Sequence, residues 1–174
     1  MASGDSLLVW GVLHNEVTDV DFATLDFILT TSSDEPDDVI PVLDFSPTTP
    51  NEFAVFANIM PAHYAGTTGV TVTIIWAAEA TTGNVKWDVA FKRMADTSSL
   101  TGNTYAAVQS TTTGTDGTAR DINTTVITFT DGAQMNSVVA GDYFRMAVER
   151  DAADGGDTMN GDDAELVTVY LSET

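Results

Sequence analysis

Between positions 85 and 92 every second residue is apolar: Val85, Trp87, Val89 and Phe91 alternate with Lys86, Asp88 and Lys92. A helix brings residues three and four apart onto one face, whereas a strand brings residues two apart together. This stretch therefore has one dry face and one wet face only as a β-strand. Phe144, Met146 and Val148 alternate with Arg145 and Glu149 in the same way. From about residue 40 onward the pattern predicts eight strands, at 40–45, 52–58, 69–77, 84–94, 104–112, 123–130, 142–150 and 163–172. Turn-forming clusters of Gly, Pro, Asp and Ser separate them. No segment carries a helical apolar stripe beyond a turn or two, and 133–140 reads as a short helix or an irregular connection. Eight strands with one buried face each predict an all-β, eight-stranded antiparallel jelly-roll sandwich. An immunoglobulin-like sandwich is the alternative, but no Cys–Trp–Cys framework supports it.

Residues 1–39 read as an N-terminal arm and acidic loop, and 40–174 as the jelly-roll domain. The arm holds the apolar run LLVWGVL followed by acidic residues and then TTSSDEPDDV, which reads as a solvated loop. Terminal arms stay loose unless something holds them. Leu7, Leu8, Trp10, Leu13 and His14 are therefore expected to dock on a neighbour, such as another subunit. Trp10 is the expected anchor, since buried aromatics dominate interface energetics.

Charge narrows the function. Against 26 acidic residues stand six basic ones, for a net charge of −20. Such a surface repels phosphate, which argues against nucleic-acid binding. There is no cysteine, and so no disulfide framework and no thiolate metal site. The opening residues lack a basic region followed by a long apolar stretch, so no signal peptide is expected. No apolar run is long enough to cross a bilayer, so no membrane partner is expected either.

Several segments, in order along nearly the whole chain, resemble a group of small jelly-roll proteins of tailed bacteriophages. They are MASGDSLLVWGVLHNEV with ATLDF, PVLDFSP followed by FAVF, and IMPAHYAG running into GVTVTIIWAA. Further on come GNVKWDVAFKRM, YAAVQS, ITFTDGAQMNSVVAGDYFRMAVERDA and DTMNGDDAEL. The resemblance implies a virion component, often trimeric, that decorates the head or belongs to the tail, and it carries over no catalytic residue. The expected role is decoration or cementing of a phage capsid by a homotrimer made in the host cytoplasm, with the major capsid protein as partner. The alternative is a tail-associated or receptor- and glycan-binding jelly-roll module. FILTTSSDEPDDVI, at 27–40, departs from the resemblance by its greater length.

No enzyme is expected. Neither G-x-S-x-G nor P-loop spacing occurs. His14 and His63 lack partners at metal-ligand spacing, and His63 reads as a rim residue. With 19 Asp, no single acid–base pair stands out. A glycan-active enzyme is the remotest alternative, because it needs a pair of carboxylates in a cleft. The best cation site is the loop DAADGGDTMNGDDAE, where Asp151, Asp154, Asp157, Asp162 and Asp163 offer hard oxygens for calcium between flexible glycines. The plainer expectation there is a solvated turn with no cofactor. The run at 34–38 has no Gly and reads as solvated loop. Asn123-Thr124-Thr125 matches a glycosylation sequon and is read as chance. Lys86, Lys92, Arg93, Arg145 and Arg150 fall on two strands, where they either pair with nearby acids inside the chain or meet the acidic surface of a copy or a capsid lattice. Trp76 and Trp87 read as core.

Overall fold

The computed structural model describes residues 4–29, 38–49, 51–96, 98–102 and 104–174. All eight segments with a period of two form strands. They are β4 (Val39–Phe45), β5 (Glu52–Ile59), β6 (Val70–Ala77), β7 (Asn84–Met94), β8 (Gln109–Gly114), β9 (Asn123–Phe129), β10 (Tyr143–Arg150) and β11 (Ala164–Glu173). The stretch expected as an arm supplies three more: β1 (Ser6–Gly11), β2 (Asn15–Glu16) and β3 (Thr24–Leu29). Short 3₁₀ turns at Val12–His14 and Ala133–Met135 are the only helical elements among the described residues. Among the described residues no helix is long and apolar enough to cross a membrane.

The strands form two antiparallel sheets. One has the order β3-β4-β11-β6-β9 with β1 also paired to β11, and the other has the order β2-β5-β10-β7-β8. Their inner faces meet through aromatic side chains. Trp87 of β7 lies 5.0 Å from Phe45 and 6.0 Å from Trp76, and Phe91 lies 4.9 Å from Phe129, all edge-on. Edge-on contact is the arrangement that ring quadrupoles favour. The Trp76 indole donates to Thr125 Oγ1 at 3.0 Å. Gly69, at φ +98°, opens β6 where a Cβ would strike the Phe129 carbonyl oxygen at 1.9 Å, so only glycine fits. The result is the jelly-roll sandwich that the alternation predicts, with the core between the sheets.

The arm is where the structure corrects the expectation. β1 pairs with β11 from Ser6↔Ser172 to Gly11↔Thr168. Leu7 and Trp10 are buried in the chain's own core, where Trp10 packs on Phe56 and Phe144 and its indole donates to the Ala57 carbonyl. Trp10 therefore anchors its own subunit. Leu8 is half-buried, whereas Leu13 and His14 stay exposed and open to a neighbour. A second difference lies at 104–108. This segment was expected to start a strand, but it leaves the ladder and is held over β7 by the Ala106 amide donating to Phe91 O at 2.8 Å. Most of the 34–38 run lies outside the described residues.

Candidate ligand groove

Three strands of the five-stranded sheet fix the site. Ala147 on β10 stands opposite Val55 on β5 and Ala90 on β7. One step along, Glu149 stands opposite Phe53 and Asp88. Val148 and Val89 point into the core, so these six neighbours face outward. The two alanines keep the floor low. Walls rise on both sides. One is the 18–20 segment, which leads into a parallel bridge between Phe22 and Phe53; there the Phe53 amide donates to Asp21 O at 2.8 Å and the Ala23 amide to Phe53 O at 3.0 Å. The other is 105–108, fixed at its base by Asn136 Nδ2 donating to Thr104 O at 2.8 Å. Between them lies a groove of about 450 Å³ with a largely apolar lining that includes Val20, Phe53, Tyr105 and Val108.

Its charged groups are all acids. Asp19, Asp88 and Glu149 line the groove, and no Lys, Arg or His does. Burial, reinforced by the neighbouring Asp88 and Asp151 carboxylates, pushes the Glu149 carboxyl from 4.5 up to about 7, against the pull of Lys86. Burial also raises Asp88, opposed by a hydrogen bond from Ser110 and by Lys86. Asp88 Oδ1 is buried and accepts no hydrogen bond. Lys86 itself is engaged elsewhere, 3.0 Å from Asp151 and 2.8 Å from Asp154. The register that sets Asp88 beside Glu149 joins residues 61 positions apart, and such a long-range pairing leaves no local signature in the sequence.

The five aspartates singled out for calcium go to three places. Asp151 and Asp154 hold Lys86. Asp157 accepts Arg150 Nε and Nη2, each at 2.9 Å. Asp162 and Asp163 sit exposed at the rim of a cavity of about 180 Å³ near β3, with Asp26, Asp44 and Glu165. There Asp44 is pushed up to about 7, first by burial and then by Asp26, Asp163 and Glu165. Among the described residues no three His, Asp or Glu stand together as a metal-holding group. The basic residues mostly find partners within the chain: Arg93 on Asp142, Arg120 on Glu79, Arg145 on Glu16, and Lys92 over the Tyr105 ring at 5.7 Å. His63 is exposed. Asn123 of the sequon is buried, and its amide donates to Asp121 O.

No family model matches the chain, and no curated protein matches it. Solved structures do. An exo-β-agarase is similar over 98% of this chain at 7% identity and a TM-score of 0.50, and the chain spans 25% of that enzyme. A presumed sugar binding protein from Bacteroides thetaiotaomicron VPI-5482 is similar over 92% of this chain and 86% of its own, at 12% identity and a TM-score of 0.49. A family 11 carbohydrate-binding module from Clostridium thermocellum, in complex with a β-1,3-1,4-mixed-linked tetrasaccharide, is similar over 98% and 96%, at 10% identity and a TM-score of 0.43. At these identities the likeness speaks to the fold alone.

Proposed function

We propose that the chain is a non-catalytic binding module that holds a glycan in the groove on the outer face of its five-stranded sheet. The observation that carries this reading is the groove: a largely apolar floor that includes Phe53, Asp88 and Glu149, with Tyr105 on one wall and Asp19 on the other. A sugar ring offers C–H faces that suit Tyr105 and Phe53, and hydroxyls that donate to carboxylates. A concave, largely apolar lining with a few convergent polar groups is the usual make-up of a small-molecule site. Two of the similar structures carry sugar or carbohydrate binding in their names, which agrees with this reading without carrying it.

The groove does contain a pair of carboxylates, the feature that the remotest alternative required. Asp88 and Glu149 rise side by side from one sheet, so both acids meet a bound sugar from below. Glycoside hydrolysis needs carboxyls that flank the scissile bond. Binding without cleavage is the reading that this arrangement favours. Calorimetric titration with an oligosaccharide panel tests it, with product analysis after long incubation. Saturable binding lost in Tyr105→Ala, with the sugar recovered intact, is expected. No binding across the panel overturns the reading, and release of shorter sugars overturns its non-catalytic part.

One observation favours the second reading, capsid decoration by a homotrimer. Leu25, Phe27 and Leu29 of β3 and Val39 of β4 are large, apolar and exposed on one hairpin at the sheet edge. Apolar groups clustered this way mark interaction surfaces. That reading places the protein on a virion, with copies of itself and a major capsid protein as partners. A native mass measurement tests it: a trimer that Phe27→Ser dissociates supports the reading, and a monomer with no affinity for capsids removes it.

A further inference from the structure

Resting on the glycan reading, we infer that the groove selects saccharides whose units carry protonated amines, of the glucosamine type, over neutral or N-acetylated ones. The argument is one of charge balance. Asp19 on one wall and Asp88 and Glu149 on the floor line the groove, with no basic side chain among the lining residues. The cations of the same sheet face are committed elsewhere: Lys86 to Asp151 and Asp154, Arg145 to Glu16, and Lys92 to the face of the Tyr105 ring. Two adjacent carboxylates on an apolar floor repel each other, and burial deprives them of water's screening.

A neutral hydroxyl can donate to these carboxylates but leaves the repulsion in place. An ammonium donates as well and brings the opposing charge. N-acetylation removes that charge and adds bulk, and an acidic sugar adds a further negative charge to three. The net charge of −20 draws any cation toward the protein. The inference therefore concerns a short ligand held at one place, and its test must separate that from diffuse attraction.

Binding of a glucosamine tetrasaccharide, its N-acetylated counterpart and a neutral β-glucan tetrasaccharide is compared by calorimetry at moderate salt and near neutral pH, where the Glu149 carboxyl ionises. The proteins are the wild type, Asp88→Asn, Glu149→Gln and a control, Asp116→Asn with Asp121→Asn, which removes two exposed loop charges outside the groove. Both groove changes replace an acid with its neutral isostere, and melting curves verify that each variant folds. The amine sugar is expected to bind about tenfold or more tighter than the other two, the scale of one charge-assisted contact. That advantage should vanish in both groove variants and persist in the control. Equal or tighter binding of the neutral or N-acetylated sugar overturns this inference and leaves the glycan groove standing. An amine preference that survives the groove substitutions and falls in the control also overturns it, because the attraction is then diffuse. Failure of all three sugars to bind removes the glycan reading and this inference together.

Discussion

The acids of the β10–β11 loop and those of the sheet faces are the same chemical groups in opposite situations. In the loop, Asp157 receives Arg150 in a two-pronged pair, and Asp151 and Asp154 grip Lys86. On the sheet faces, Asp88 stands against Glu149, and Asp44 against Glu165, with like charge opposite like charge. Lys86 holds the Asp154 carboxyl below its ordinary range, whereas burial holds Glu149 and Asp44 far above theirs, at about 7. The loop acids fasten the fold. The sheet acids strain it, and a strained polar group that the fold does not need is a mark of a surface kept for something else.

The largest expected effect comes from breaking the fastened side. Arg150 is fully buried, and each of its five N–H groups has an acceptor: Asp157 twice, and the carbonyls of Phe45, Met159 and Asp162. Asp157→Asn leaves the guanidinium without its counter-charge and should cost about 3–5 kcal/mol, the range for an orphaned buried ion. Arg150→Lys keeps the charge but loses the planar fork, and should cost nearly as much. Thermal or urea unfolding reads both. If Asp157→Asn melts within a degree of wild type, the loop is not fastened through this pair and the comparison fails.

This site was half legible in the sequence. Phe144, Met146 and Val148 set the inward phase of β10, and Arg150 continues it. An arginine in the inward phase, followed at once by an Asp-rich loop, signals an internal ion pair. Read by composition alone, the same aspartates look like calcium ligands. The strands were legible for the same local reason, because alternation is written in neighbouring residues. Trp10 was not, since its burial depends on β1 reaching β11, some 160 positions away (Trp10↔Val169). The groove was least legible of all: it needs the register of three strands and the departure of 104–108 from the ladder. The alternation of TYAAVQS predicted a strand there.

Relieving the strained side should act in the opposite direction, and less strongly. A carboxyl raised to about 7 keeps its proton in the folded state over a range where the unfolded chain has lost it. Stability from Asp44 and Glu149 is thus full below their unfolded values, 3.8 and 4.5, and drains away as pH rises to about 7. Asp44→Asn and Glu149→Gln should therefore raise the melting temperature above neutral pH and flatten its decline between those limits. Each gain should be on the order of 1 kcal/mol, since both groups are half-exposed and screened. Unchanged pH profiles in both variants would show that these acids are relaxed.

Lys86 tests the weaker edge of the fastened side. Lys86→Met should lower stability by much less than Asp157→Asn, because this pair is partly solvated and exposed pairs contribute little. Its signature is in the pH dependence. Asp154 is lowered by Lys86, so its contribution is present above its ordinary value of 3.8 and lost on acidification. The variant should lose that acid-side slope and gain screening sensitivity in the groove, where Lys86 opposes the rise of Glu149 and Asp88. A wild-type profile at low pH would mean that the lysine's two contacts do not persist in solution.

The smallest expected effect is that of calcium on the loop. Five aspartates within thirteen positions suggest a cation site, but a shell of six or more oxygens requires them to converge. Asp151 and Asp154 are turned to one lysine, Asp157 to an arginine at the core's edge, and Asp162 and Asp163 to a separate cavity. Calcium would have to displace Lys86 and Arg150 from their acids, and the second exchange leaves a buried guanidinium unpaired. Neither chelation nor millimolar calcium should move the melting temperature measurably, and titration calorimetry should give no saturable heat. Asp157→Asn separates the two explanations. In a calcium loop it would reproduce the effect of a chelator, whereas in a fastened loop it destabilises equally with and without calcium. A melting temperature that falls on chelation, and falls no further in Asp157→Asn, would move this loop out of the fastened group and make the cation its organiser.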